Sequence, residues 1–133
     1  MEFDNSMRTM TVYDSNYNCI DVLNVGILFN NKEMVNAVIE SQDINVNQLS
    51  SSGLTPLTLA CLMSNEKLVK VLFRHGALAN IEDNYGTLPL VYADKINNVK
   101  IKNILYRNGA NPYLPSTNVN ESLIDLFKKE KII

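Results

Sequence analysis

Apolar residues along this chain come in short bursts at helical spacing, separated by polar stretches of similar length. Leu57, Leu59, Ala60 and Leu62 make one burst. Leu68, Val69, Leu72 and Phe73 make the next, with Ser64-Asn65 between them. Apolar recurrence at i, i+3, i+4 and i+7 predicts amphipathic helices. The first helix opens with Thr55-Pro56 after Gly53. Thr55 supplies a capping hydroxyl, Pro56 sits where no N–H donor is needed, and Gly53 permits a positive-φ bend. The second helix stops at His75-Gly76-Ala77, with Gly76 at the position that favours a left-handed residue. The pattern therefore predicts a unit of turn, short helix, break, second helix.

That unit returns 33 residues later. Gly53 maps to Gly86, Pro56 to Pro89, Leu57 to Leu90, Ala60 to Ala93, Asn65 to Asn98, Leu72 to Leu105 and Gly76-Ala77 to Gly109-Ala110. An earlier unit fits through its helices at a spacing of 34: Leu23 to Leu57, Met34-Val35 to Leu68-Val69, Val38 to Leu72. It returns to 33 at Asn47 and Asn80, so one extra residue follows its second helix. Asp21 is the predicted N-cap of its first helix. After Pro112-Tyr113, Leu123, Ile124, Leu126 and Phe127 predict one more helix without a partner, followed by Lys128-Lys129-Glu130-Lys131. Residues 1–19 show no period. They form an N-terminal arm in which Phe3, Met7, Met10 and Tyr13 are apolar, and 20–133 form one domain. Its units span about 20–52, 53–85 and 86–118, with a terminal helix in 119–133.

A period of 33 with turn, helix, turn, helix is a repeat signature. Residues 53–60 (GLTPLTLA) and 71–77 (VLFRHGA) closely resemble the ankyrin consensus. The third unit matches with Leu88 in place of the capping threonine, and the first is degenerate. The resemblance implies an all-α ankyrin-repeat solenoid of about three helix-pair repeats plus a C-terminal capping helix. The histidine that usually follows Thr-Pro-Leu is replaced by Thr58 and Val91, which implies modest stability. The resemblance also implies a non-enzymatic module that binds another protein and inhibits or masks it. Two versions fit: a small bacterial immunity protein, or a viral or parasite protein that binds a host factor. A self-assembling subunit or homodimer is the alternative.

Composition narrows this picture. The chain has 133 residues, is 46% hydrophobic and carries a net charge of −2. That balance describes a globular domain and opposes binding to a nucleic-acid backbone, which needs a basic face. No apolar run is long enough for a membrane span, and no signal peptide is read at the start. A cytoplasmic setting follows, or a host's cytoplasm or nucleus if the source is a pathogen. Frequent Asn, Ile and Lys suit an AT-rich genome. Cys19 and Cys61 are read as reduced thiols.

Candidate chemistry is sparse. His75 stands at a helix end, where an imidazole suits the dipole. The carboxylates form no pair suited to acid–base or metal chemistry, and Gly86-Thr87 is a turn, not a phosphate loop. No cofactor and no metal are expected. Lys95, Lys100, Lys102 and Arg107 share a unit with Asp83 and Asp94 and read as a solvated face.

The resemblance points to a binding surface on the fingers and the concave helix face. The two variable residues after the small-residue core of each first helix are Leu28-Phe29, Leu62-Met63 and Lys95-Ile96. Five of these six are apolar, which predicts an exposed stripe. Beside it lie the finger residues Tyr17, Leu54 and Tyr85. Asn84 and Glu82 are expected at the rim, and Asp94, which replaces a small residue, is expected to be exposed or to salt-bridge a partner.

Overall fold

Each second helix of the repeat opens with an asparagine. A computed structural model describes residues 19–41, 44–114 and 121–130. Its helices are α1 (Cys19–Leu28), α2 (Lys32–Ile39), α3 (Pro56–Leu62), α4 (Glu66–Arg74), α5 (Pro89–Ile96), α6 (Val99–Arg107) and α7 (Glu121–Glu130). At α2, α4 and α6 the N-cap Oδ1 of Asn31, Asn65 and Asn98 accepts the N–H of Met34, Leu68 and Ile101 at 3.1, 3.1 and 3.0 Å. The residue before each cap, Asn30, Ser64 or Asn97, is left-handed. The break between paired helices is thus one repeated tight turn. The arm residues Phe3, Met7, Met10 and Tyr13, and the finger residue Tyr17, lie outside the described residues.

The helices stack in two rows. The inner row runs α1, α3, α5, α7, each packed on the next, and α2, α4 and α6 pack behind their partners. The core follows the rows: Leu23, Ile27, Leu57, Ala60, Leu72, Tyr92, Ala93, Ile101 and Leu105 are all essentially inaccessible. Pairs this short cannot hide an apolar face alone, so the core is continuous across units. In α7, Ile124 and Phe127 are buried and Leu126 is exposed. Among the described residues this helix packs chiefly on α5, so its expected four-residue apolar face narrows to the side that meets α5.

Side chains from one unit hold the backbone of the next. Asn47 donates from Nδ2 to Gly76 O (3.0 Å) and accepts from Leu78 N–H (2.8 Å). Asn80, 33 residues on, does the same to Gly109 O (2.9 Å) and Asn111 N–H (2.9 Å). The fingers join through Asn84 N–H on Gly53 O at 2.8 Å. Gly53 has φ +86°, and a Cβ there would lie 2.7 Å from Asn84 Cβ, so both conformation and space require glycine.

Three expectations about caps resolve differently. Thr55 caps α3, accepting from Thr58 N–H at 3.1 Å. Leu88 makes no side-chain cap to α5 and is buried instead. Asp21 is not an N-cap. Helix α1 already runs through Cys19, and the Asp21 carboxylate reaches the turn at the end of its own unit, accepting from Ser51 N–H and Oγ–H at 2.7 Å each. Charge-assisted bonds to that turn outweigh capping.

Replacing Asn80 with Ala removes two bonds between units two and three. We expect a loss of about 1 kcal/mol in urea unfolding, because the site is solvated. Equal stability of the variant and the parent would remove the staple from the account.

Candidate functional site

The expected apolar stripe is broken in its middle. Phe29 is 73% exposed and Leu28 half-buried, but Leu62 and Met63 are each only 2% exposed. Ile96 is half-buried and Lys95 exposed. Neighbours explain the difference. Val25, Leu59 and Tyr92 hold one repeat position, and Phe29, Met63 and Ile96 another. In the middle unit both positions are covered, and Met63 lines the same cleft as Gly26 and Ile27 of α1. In the first unit Val25, 47% exposed, and Phe29 stay open. Sequence reasoning missed Val25; its register with Leu59 and Tyr92 was the available signal.

The other candidates also separate. Tyr85 is exposed at a finger tip. Leu54 is buried, and its carbonyl accepts from Asn24 Nδ2 (3.2 Å) and Ser50 N–H (2.9 Å). It belongs to the finger's interior, not its surface. Asp94 is exposed and bonded by Lys102 Nζ at 2.7 Å, while Lys95 lies 3.7 Å from Glu121 of α7. Lys128 Nζ also donates to Lys95 O at 3.2 Å. These two candidates therefore tie helices of the chain to one another.

A cleft of about 530 Å³ opens between the first two units. Gly26, Ile27, Val35, Met63, Leu68 and Val71 supply its apolar lining, and its polar edge includes Asn30, next to Phe29. Gly26 takes the place held by Ala60 and Ala93. A Cβ there would meet Val35 Cγ2 at 3.1 Å and Met34 Sδ at 3.2 Å. The missing methyl lets α2 close tightly on α1. Helix α4 packs on α6, but α2 makes no comparable contact with α4. The cleft is the space left by that asymmetry. Apolar walls with a polar edge suit one apolar side chain of a partner.

The finger bases are polar and differently built. In the second, Asp83 accepts from Tyr85 N–H (2.9 Å), Thr87 N–H (3.0 Å) and the hydroxyl of buried Tyr92. In the first, Ser50 stands at that position; its Oγ accepts from Leu54 N–H at 3.4 Å. Asn24 takes the place of Thr58 and Val91, and its Oδ1 is buried with no hydrogen-bond partner among the described residues. An orphaned acceptor of this kind costs about 1–3 kcal/mol, which weakens the joint between units one and two.

Little of this is arranged for bond-making chemistry. His75 is exposed at the α4 C-cap. Burial pushes the Cys61 thiol far above its ordinary range, so it stays protonated. The hydrogen bond from Lys102, reinforced by its charge, holds the Asp94 carboxyl below the usual carboxylate range.

Two outcomes follow. A carboxyl lowered on folding contributes stability above its unfolded pKa and loses it as pH falls through the lowered value. Asp94→Asn should therefore reduce Tm slightly at neutral pH and low salt. The difference should vanish in acid and in high salt, as scanning calorimetry would register. Met63→Ala should cost about 2–4 kcal/mol in denaturant unfolding, as core truncations do. A cost below about 0.5 kcal/mol, typical of surface sites, would show that Met63 is not in the core.

A family model described as ankyrin repeats, in three copies, matches residues 23–116. No curated protein matches the chain. The match covers more than half of the sequence, and the described helices have the order and stacking that the period predicts. This chain belongs to the ankyrin-repeat family, whose repeats serve as protein–protein interaction modules.

Proposed function

We propose that this chain is a non-enzymatic binder that inhibits or masks a protein partner. The α1 end of the inner row carries the contact. The observation behind the reading is Phe29, 73% exposed at a position where Met63 is buried. A phenylalanine left in water gives up the burial free energy that the same position collects one unit later. Val25 lies one turn away and the cleft edge at Asn30 follows directly. An aromatic knob beside an apolar recess is the usual centre of an interface. Tyr85 extends the contact to the fingers. Lys95 and Asp94 contribute less, since each is already bonded within the chain.

Helix ends and finger tips of a rigid stack suit occlusion: they present a preformed surface with little ordering cost. Inhibition by masking needs nothing further. Immunity-type and host-factor-binding versions share this surface and differ in the partner.

The decisive measurement uses the partner recovered by affinity pull-down from source cells. Phe29→Asp combined with Tyr85→Asp should weaken binding roughly ten-fold or more while circular dichroism stays unchanged. Stoichiometric parent protein should suppress the partner's activity. Unaltered affinity of the double variant would overturn the surface, and a fully active bound partner would overturn the masking role.

The same exposed Val25 and Phe29 support a second reading, self-association through this end. Light scattering would then give a dimer mass for the parent and a monomer mass for Phe29→Asp.

A further inference from the structure

Charge on the outer row is sorted by unit. Six of the chain's twelve lysines and arginines lie on α4 and α6, against the single carboxylate of Glu66, although the chain as a whole is at −2. Lys67, Lys70 and Arg74 stand at i, i+3 and i+7 of α4, and all three are exposed. Lys100, Asn103 and Arg107 repeat that register on α6, also exposed. The equivalent positions of α2 are Glu33, Asn36 and Glu40. At these register positions the sign reverses between the first unit and the next two, although α2 also carries Lys32 beside Glu33 and Glu40 is its C-cap. From sequence alone the third unit's cations read as a solvated face alongside Asp94. Folding stacks them on those of the second unit, and Asp94 spends its charge on Lys102, which is not in this register.

We propose that the paired outer faces of α4 and α6 bind an acidic segment of a protein. Lys67 and Arg74 on one helix and Lys100 and Arg107 on the next form the corners of a rectangle. Each side is about 10 Å, set by seven residues of helix rise and by the helix–helix distance. Among the described residues none of the four makes an ion pair, nor does Lys70. An acidic helix with carboxylates at i, i+3 and i+7 has the same repeat and matches the rows. The two arginines offer forked donors, and exposed Tyr106 and Val99 supply apolar contact at the edge. A duplex or an anionic bilayer fits less well. Both are extended polyanions and would run on to the row of Glu33 and Glu40.

This surface lies on the outer row, apart from Phe29, so the two proposals fail independently. The test is fluorescence anisotropy with the full chain and a labelled helical peptide bearing glutamates at i, i+3 and i+7. Binding should be measurable at low salt and weaken steeply as salt is added. The variant Lys67→Glu, Arg74→Glu, Lys100→Glu, Arg107→Glu should lose affinity roughly ten-fold or more. Reversal of Lys32 and Lys128 should change it by less than about two-fold. A glutamine version of the four-site variant, confirmed folded by circular dichroism, guards against loss through misfolding and should also weaken binding. Equal affinity of parent and four-site variants would overturn the proposal. So would tighter binding of duplex DNA or phosphatidylserine vesicles than of the peptide, or salt-sensitive self-association that accounts for the signal.

Discussion

The fold depends on how closely neighbouring inner helices can approach. Gly26, Ala60 and Ala93 occupy one repeat position, and all three are buried. A large side chain there would force the rows apart, and no single helix pair has enough core of its own to compensate. Cohesion is therefore a property of the stack. The asparagine staples at Asn47 and Asn80 set the spacing of successive turns, and the small residues let the apolar faces meet at that spacing.

The same constraint divides the surface. A side chain on the inner row is exposed or buried according to what the neighbouring described helices cover. Phe29 and Met63 hold equivalent positions, yet one is open and the other enclosed. Gly26 shows the reverse effect. By omitting one methyl it tightens the first helix pair and leaves a cleft against the second. The joint between units one and two, which also holds the unsatisfied Oδ1 of Asn24, adjoins the exposed Phe29. Binding surfaces are commonly drawn from such less stable regions, because a partner can supply the burial the fold omits.

The two rows suit different chemistries. The inner row ends in an apolar knob beside a recess. The outer row presents basic helices on an otherwise acidic chain. A scaffold with separate faces can engage a partner at two places at once, and the second contact gains from the effective concentration set by the first.

The repeat itself was legible in the chain: a period of 33, paired helical bursts, the proline starts at Pro56 and Pro89 and the glycine stops at Gly76 and Gly109 follow from residue type and spacing. The N-caps at Asn65 and Asn98 and the turns at Gly53 and Gly76 arise from residues a few positions away. Exposure is different in kind. Leu62 and Met63 look like surface residues from their place after the small-residue core, but burial depends on a neighbour more than 30 positions distant. Asp21 looks like a cap until the Ser51 turn comes within reach of its carboxylate. The cations of α4 and α6 look dispersed until the stack sets them side by side. The sequence by itself determined the unit and its period, because those rest on backbone preference and helical spacing. The tertiary structure alone decided which positions face water, because that is settled by what the next unit covers.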